Sequence, residues 1–389
     1  MKFSATNYAR ALKRSGAIAL QICRDIEWHR RFTASDFGPL PKRIVEQAKL
    51  LIQSAICAED YYHLALYRTE LSHTEKRSFL GSFEKWRYFN RLNPPVYDII
   101  ARDKALFHVL ANSLSIPTPQ TLATTSPDQR PRCGLAIRNA DELKQFLLSP
   151  GSEDLFFKPV DGSLGEGALS IGKFDDATQT WRLLPSNQPI TVNEIATHIS
   201  PKKTLGRFLI QRRLIAHPDF ARIVPNVCPT VRLMTLRTET GFHVIGAALR
   251  LGSGRTPTDN VAGGGLIGPI SLKTGTIEHT LSLESDYPQI VSTHPQTGVS
   301  IGTLHVPDWQ RVLDLVNDSG EKLNFFPCIG WDVALTENGP LIIEINTRPR
   351  CISVQSSKRT GLLDGPMGNE LAKGNQWLDS GISVSHRSS

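Results

Sequence analysis

Three groups of residues in this sequence are of types and spacings that could do chemistry together. The first is acidic: Asp332 in Gly330-Trp331-Asp332-Val333, and Glu344 and Asn346 in Ile342-Ile343-Glu344-Ile345-Asn346. Residues two apart on a strand share a face, so Glu344 and Asn346 point the same way. The intervening Thr336-Glu337-Asn338-Gly339-Pro340 reads as a hairpin, and Asp332 faces the other two if the register cooperates. Two carboxylates and an amide oxygen make a hard, all-oxygen cation site, suited to Mg2+ carrying nucleotide phosphates. Strand alternation alone also points polar residues to solvent. Against that, Ile342, Ile343 and Ile345 mark a largely buried strand, where a carboxylate needs a partner or a metal.

The second group is Phe157-Lys158-Pro159-Val160-Asp161-Gly162-Ser163-Leu164-Gly165-Glu166-Gly167. A buried strand delivers Lys158 into a turn whose glycines, at 162, 165 and 167, let backbone N–H groups approach phosphate oxygens closely. It is not the GxxxxGK[ST] loop, which the chain lacks, and plain hairpin turns are also glycine-rich. The third group is cationic. Arg232 and Arg250 sit on two arms joined by Glu239-Thr240-Gly241. A three-residue turn puts them on one face; a two-residue turn separates them. Arginine forks suit phosphate and carboxylate oxygens. A loop running from Gly252 through Asp259 and Asn260 to Gly263-Gly264-Gly265 follows, flexible enough to meet a substrate backbone-first.

The elements that must position these groups are legible in outline. The chain to residue 95 reads as helical, with an amphipathic helix around Gly16–Cys23 and one apolar face over Ile44–Leu66. Asn93-Pro94-Pro95 breaks it, a helix Val96–Leu114 follows, and Ile116-Pro117-Thr118-Pro119 is extended. Strands are expected at Leu155–Val160, Ala168–Phe174, Trp181–Leu184, Arg207–Leu214, Thr230–Thr238, Phe242–Leu251, Ile329–Leu335 and Leu341–Asn346, with a helix at Asp308–Leu323. The Ser-, Gly- and Lys-rich end of the chain is expected to be a mobile tail.

Composition bounds the reading. The chain has 389 residues, enough for two or three domains, and its 40% hydrophobic content supports a real core rather than disorder. No apolar run is long enough to cross a membrane, and the basic start lacks a cleavage site, so a cytoplasmic protein is expected. Six scattered cysteines form no CxxC and no zinc spacing. The formal charge of +7 fits anionic ligands such as phosphates, and no nucleic-acid-binding signature is present.

The order of the pieces resembles the ATP-grasp superfamily and, more narrowly, the sugar-transfer-associated ATP-grasp proteins. The match is carried by Leu92-Asn93, Asp103-Lys104, Ile116-Pro117-Thr118-Pro119, Phe157-Lys158-Pro159, Arg232-Leu233-Met234-Thr235, Leu249-Arg250-Leu251-Gly252, Asp259-Asn260, Gly263-Gly264-Gly265, Ile329-Gly330-Trp331-Asp332 and Glu344-Ile345-Asn346, spanning about 92 to 355. The resemblance implies an α+β protein whose two lobes clamp ATP. It implies a helical region at 1–92, a first lobe with the phosphate loop at 93–206, a second lobe with the metal site at 207–355, and a tail at 356–389.

Residue by residue, the resemblance implies that Lys104 touches nucleotide phosphates and Lys158 the adenine edge or phosphates. Gly162, Ser163, Gly165 and Gly167 would close as a lid. Phe208–Leu214 would link the lobes, its backbone meeting adenine near Gln211, which replaces the usual acidic residue, and Leu214. Asp332, Glu344 and Asn346 would hold one or two Mg2+ ions, with Mn2+ a possible substitute. Arg250, with Arg232 and Asn260, would steady the transferring phosphoryl group. Arg348, Gly264 and Gly265 would meet the acceptor, although a plain surface role suits Arg348 as well.

The implied activity is an ATP- and Mg2+-dependent carboxylate–amine ligase. A carboxylate is phosphorylated to an acyl-phosphate, then an amine takes the acyl group and an amide, ADP and phosphate leave. The implied partners are a small carboxylic acid and an amine, sugar-linked or serving polysaccharide or cell-envelope biosynthesis. Two alternatives stand beside it: a kinase on a sugar-like hydroxyl, and a non-catalytic nucleotide- or nucleic-acid-binding protein.

Overall fold

The computed structural model describes residues 5–32, 37–83, 85–125, 133–162, 165–200, 206–285, 287–358 and 360–373. The N-terminal region is helical, as its apolar periodicity requires: Ala5–Arg31, Leu40–Ser54, Ala58–His63, His73–Arg77 and Trp86–Leu92. The expected continuous helix over Ile44–Leu66 is interrupted. Ala55 adopts left-handed φ 58°, and the helix is capped by Ala55 N donating to the Leu51 carbonyl and Ile56 N to the Leu50 carbonyl. The expected helix Val96–Leu114 is likewise split, into Asp98–Arg102 and Lys104–Ser113. Asp103 leaves helical geometry there, and its side chain accepts from Leu106 N at 2.9 Å, an N-cap that starts the second piece.

Two seven-stranded sheets follow. The first contains β1 (Thr121–Thr125), β2 (Leu135–Ile137), β3 (Leu155–Pro159), β4 (Leu169–Asp175), β5 (Thr180–Leu184), β6 (Gln188–Ile190) and β7 (Phe208–Arg212), in the order β2-β1-β7-β3-β4-β5-β6. Only the β1–β2 pair is parallel. Helices Ala140–Leu147 and Val192–His198 cover it, burying Leu143, Leu147 and Ile195 with Phe157, Ile171 and Trp181.

The second sheet is antiparallel. It contains β8 (Thr230–Thr238), β9 (Gly241–Leu251) and β10 (Leu266–Pro269). After a separate two-stranded ladder that begins with β11 (Thr276–Ile277) come β12 (Thr280–Ser282) and β13 (Gln289–Val291). The ladder is completed by β14 (Leu304–His305), and the large sheet by β15 (Cys328–Thr336) and β16 (Gly339–Asn346). Its order is β13-β12-β10-β9-β8-β15-β16. One face packs on helices Lys104–Ser113 and Trp309–Lys322 through Phe107, Ala111, Val312, Val316, Leu249, Trp331 and Ile342. The expected strands and the helix expected at Asp308–Leu323 hold to within one or two residues at each end.

The second sheet's other packing partner corrects the expected tail. Helices Ile352–Lys358 and Pro366–Ala372 lie beyond β16, and Val354, Met367 and Leu371 are buried with Phe89, Leu92, Met234 and Leu236. Those apolar residues, spaced among Ser, Gly and Lys, are enough to dock 352–373; residues 374–389 lie outside the described set. Side chains stitch the N-terminal region to this sheet. Asn93 Nδ2 donates to the Cys328 and Thr347 carbonyls, each at 2.7 Å, and its Oδ1 accepts from Cys328 N at 2.9 Å. Gln355 pairs with both backbone groups of Leu80, at 2.8 and 2.9 Å.

Candidate functional site

Two β-bulges build the site. Pairing on β15–β16 shifts register after Asp332, which sits opposite Glu344, whereas Val333 sits opposite Ile342. Ile343 is the extra residue. Without it, Asp332 would oppose Ile343, and Glu344 would turn to the other face. The β8–β9 hairpin closes through a two-residue turn, Glu239-Thr240, which by itself would separate Arg232 from Arg250. A second bulge, at Ile245, restores a common face: Arg232 pairs with Ala248 and Thr230 with Arg250. The expectation of separation for a two-residue turn is thus overturned by one inserted residue.

The result is a charged wall along β9, β8, β15 and β16. Arg232 forks onto Asp332, with Nε donating to Oδ1 and Nη2 to Oδ2, the latter at 2.8 Å. Arg250 Nη1 reaches both oxygens of Asp332, at 3.2 and 3.1 Å. Its Nη2 donates to Asp259 Oδ1 and Asn260 Oδ1, both at 3.1 Å. Thr230 donates to the second oxygen of Asp259. Four guanidinium contacts therefore fill the acceptor capacity of the Asp332 carboxylate. Burial alone would raise its pKa, but Arg232 and Arg250 outweigh burial and hold it well below the carboxylate range. Burial favours neutral Arg250, but Asp259 and Asp332 more than reverse this.

Glu344 is the opposite case. Burial and the facing Asp332 charge raise its pKa, against a weaker opposing pull from Lys104. It has no hydrogen bond to a cation among the described residues. Beside it, the buried Nδ2 of Asn346 has no partner. Glu344, whose ionisation burial and Asp332 disfavour, would gain from a hard cation, and the Asn346 amide would offer its oxygen beside it. Asp332 joins them only as a guanidinium contact releases it. Among the described residues no three His, Cys, Asp or Glu side chains cluster as a metal site, so the amide is needed to complete the set.

Across a cavity of about 1250 Å³ stand β3 and the glycine-rich turn. Lys158 Nζ donates to the carbonyl of Ile343, the bulged residue, at 3.1 Å, and lies 3.3 Å from His108 Nε2. Burial lowers Lys158 to about 8, Glu344 working against the shift and Lys104 with it. His108, buried beside these two lysines, is held far below its ordinary value, chiefly by burial; its Nε2 faces the donors Lys158 Nζ and Gln211 Nε2. Lys104 donates to the carbonyl of Gly162. Gly165, at φ +69°, approaches the opposite loop so closely that a Cβ would lie 2.3 Å from Asn260 Nδ2 and 2.7 Å from Thr258 Oγ1.

Of the expected residues, Lys104, Lys158, Gly162, Gly165, Arg232, Arg250, Asn260, Gly264, Asp332, Glu344, Asn346 and Arg348 line this cavity. Four do not line it. Gln211 is buried, with Nε2 donating to Thr121 Oγ1 at 2.9 Å and lying 3.2 Å from His108 Nε2. Leu214 falls beyond the end of β7. Gly167 turns its carbonyl to His198 Nε2, 3.0 Å away. Gly265 packs beneath the loop, where a Cβ would meet the Asp259 and Asn260 carbonyls at 2.7 Å. Ser163 lies outside the described residues. Arg348 lines the cavity but pairs with Asp98, which also accepts from Thr347 Oγ1 at 2.9 Å.

Sequence reasoning missed the wall given by the N-terminal region: Glu59, His63 and Lys85 line the cavity. It also missed Asp259 as a ligand of Arg250, and His108. The pair Asp259-Asn260 was in view, but its contact with Arg250 depends on a loop path that spacing does not encode.

The family model for sugar-transfer associated ATP-grasp proteins matches residues 84–366, well over half of the chain. No curated protein matches it. Similar solved structures include the biotin carboxylase domain of the Hydrogenobacter thermophilus 2-oxoglutarate carboxylase, solved with MgADP, ADP and bicarbonate, at 12% identity and TM-score 0.35 over 65% of this chain and 41% of that one. Campylobacter jejuni biotin carboxylase, in a β-γ-ATP complex, gives 9% identity and TM-score 0.39 over 68% of this chain and 46% of that one. D-alanyl-alanine synthetase A from Vibrio cholerae gives 13% and 0.37 over 70% of this chain and 66% of that one. The chain thus spans less than half the length of the first two. With helices ahead of two sheets that face each other across a charged cavity, this α+β chain has the ATP-grasp fold and belongs to the sugar-transfer associated ATP-grasp family.

Proposed function

We propose that the protein is an ATP- and Mg2+-dependent carboxylate–amine ligase acting on a small acid and an amine in sugar-linked biosynthesis. The observation that carries this reading is the single wall on which Asp332, Glu344 and Asn346 stand beside Arg232 and Arg250, facing Lys104, Lys158 and the glycine-rich turn across one cavity. Glu344 and Asn346, with Asp332, would hold Mg2+, which supplies positive charge to the nucleotide's terminal phosphates.

The chain's own residues do the rest. Two anions, an acid and a phosphate chain, must be brought together, and their repulsion has to be offset by fixed cations. Arg250 is placed to do this, bridging Asp332 on one side and Asp259 and Asn260 on the other. Lys104 and Lys158 bring positive charge from the first lobe. Gly165 lies against Thr258 and Asn260, and closure of that turn over the nucleotide would exclude water from the reacting centre, which protects a hydrolysable acyl-phosphate.

The test is thermal denaturation with a non-hydrolysable ATP analogue, with Mg2+ or EDTA, on wild type and Glu344→Ala. Ligand at about a hundredfold over its Kd adds roughly 2.7 kcal/mol. A Mg2+-dependent rise that the variant loses supports the site, and ADP release is then screened against acids with and without amines. ADP release with a sugar hydroxyl and no amine dependence would replace the ligase by a kinase. No rise in wild type would overturn the nucleotide site.

A further inference from the structure

The cations of the cavity wall differ in what already holds them. Arg232 and Arg250 are paired with Asp332 and Asp259. Arg255 is paired with Glu284 at 2.9 Å, Arg350 with Glu59 at 2.8 Å, and Arg348 with Asp98. Lys104 and Lys158 donate to the carbonyls of Gly162 and Ile343 beside the phosphate turn, and Arg102 is exposed. Lys85 fits none of these classes. It lines the cavity and is half-buried, and its ammonium has no hydrogen bond or ion pair among the described residues.

Its surroundings explain what is missing. Burial lowers its pKa; Cys351 and Asp60 oppose the shift, while the cations Arg350 and Arg232 push the same way as burial. Asp60, a carboxylate whose charge reaches it, makes its own hydrogen bonds elsewhere, accepting from Ser82 N at 2.6 Å, Ser82 Oγ at 2.7 Å and Cys57 Sγ at 3.2 Å. Lys85 thus stands beside Arg232 and Arg350 as the cation of this group whose charged end no carboxylate contacts among the described residues.

The backbone at Lys85 is rigidly placed. Lys85 immediately precedes helix Trp86–Leu92, whose Phe89 and Leu92 are fully buried with Met234 and Leu236 of β8. That strand also carries Arg232. The backbone of Lys85 is therefore fixed relative to the arginine that grips Asp332, and its ammonium belongs to a different cation group from Lys104 and Lys158, which sense each other.

We propose that Lys85 anchors a second oxyanion on the acid substrate. The acid carries one carboxylate to be activated beside Arg250, and another carboxylate or a phosphate held by Lys85 next to Arg232 and Arg350. A compact, three-donor ammonium suits either group. The proposal rests on the ligase reading for the word acid, and on the cavity alone for the oxyanion.

The test is thermal denaturation of the full chain, with and without saturating Mg2+ and the ATP analogue, titrated with malonate, inorganic phosphate or acetate. Malonate or phosphate is expected to raise the melting temperature at concentrations about tenfold below acetate. Lys85→Met raises the required concentration at least about tenfold, near 1.4 kcal/mol, and Lys85→Arg recovers part of it. Stronger malonate binding marks a dicarboxylic acid, and stronger phosphate binding a phosphorylated one. Equal titrations in wild type and Lys85→Met, or no preference over acetate, overturn the proposal. The shift from the ATP analogue alone is expected to be the same in both proteins. Its absence in wild type sinks the ligase reading, while the titrations without nucleotide still decide the role of Lys85.

Discussion

Two buried polar clusters in this molecule treat charge in opposite ways. In the N-terminal helical region the buried Asp60 and Arg43 have neutral partners, apart from the separate Lys76–Glu46 ion pair. Asp60, fully buried, is met by Ser82 and Cys57. Arg43 donates to the carbonyls of Gly38 at 3.1 Å and Phe32 at 2.6 Å and to the Tyr62 hydroxyl. His29, in contact with Tyr62, is pushed by burial down to about 4. On the second sheet the charges are instead pressed together. Asp332 has two guanidiniums, while Glu344, facing it, has none. A fold serving only its own stability would share the arginines out. The uneven sharing is the mark of a site that waits for another charged molecule.

The largest expected effect breaks this comparison directly. Asp332→Ala leaves two buried guanidiniums without their shared carboxylate and is expected to cost about 3–5 kcal/mol in urea unfolding. Asp60→Asn, in the cluster with neutral partners, is expected to cost about 1–3 kcal/mol. If the two cost the same, the second sheet holds no special concentration of charge.

Glu344→Gln sharpens the same contrast with the opposite sign. The folded-state pKa of Glu344 lies above its ordinary 4.5, so the folded chain binds its proton more tightly than the unfolded chain. Its contribution to stability falls as pH rises from about 4.5 through the raised value. The glutamine variant is therefore expected to match or exceed wild-type stability near neutral pH, with its advantage growing over that window. Asp332, with its lowered pKa, works the other way and loses stabilisation as pH falls. The Mg2+-dependent shift from the ATP analogue, about 2.7 kcal/mol at a hundredfold over Kd, is expected to vanish in Glu344→Gln. A less stable variant that keeps this shift would remove Glu344 from the metal site.

These residues show how far the sequence could be read. Strand identity was legible, because Ile342, Ile343 and Ile345 or the run Thr230–Thr238 carry the apolar pattern of a buried strand. The co-location of Asp332 with Glu344, and of Arg232 with Arg250, was not. Each depends on a single bulged residue, Ile343 or Ile245, that looks like its neighbours in sequence yet flips every side chain beyond it. The wall supplied by Glu59, His63 and Lys85 was also hidden, because it is fixed by long-range docking of Phe89 and Leu92 on β8. The helical tail segment 366–372 was misjudged because two apolar residues, Met367 and Leu371, suffice to bury it once a groove exists.

A smaller effect separates the two glycines of the phosphate turn that have left-handed backbones. Gly165→Ala and Gly167→Ala bear similar conformational strain, at φ +69° and +73°, of order 1 kcal/mol. Only at 165 would the new methyl strike Asn260 Nδ2, at 2.3 Å; at 167 the nearest atom is Pro159 Cγ at 3.1 Å. Gly165→Ala is expected to weaken binding of the ATP analogue several-fold more than Gly167→Ala at matched stability. Equal binding in both would mean that the Gly165–Asn260 approach is dispensable for closing over the nucleotide.

A titration distinguishes a lysine that serves the fold from one that serves a ligand. Lys158 is lowered to about 8 from 10.5, so the folded chain disfavours its charge, and stability is expected to rise as pH climbs from 8 to 10.5. An anionic phosphate wants the opposite form. Affinity for the ATP analogue is expected to fall as pH passes 8, by up to about tenfold at pH 9, where most of the free enzyme's Lys158 is neutral. Stability and affinity thus move in opposite directions over one pH window, measured by urea unfolding and by calorimetry. Lys158→Met should flatten both trends together. If only the stability trend flattens, the ammonium serves Ile343 and His108, and the phosphates are met by Lys104 and Arg250 without it.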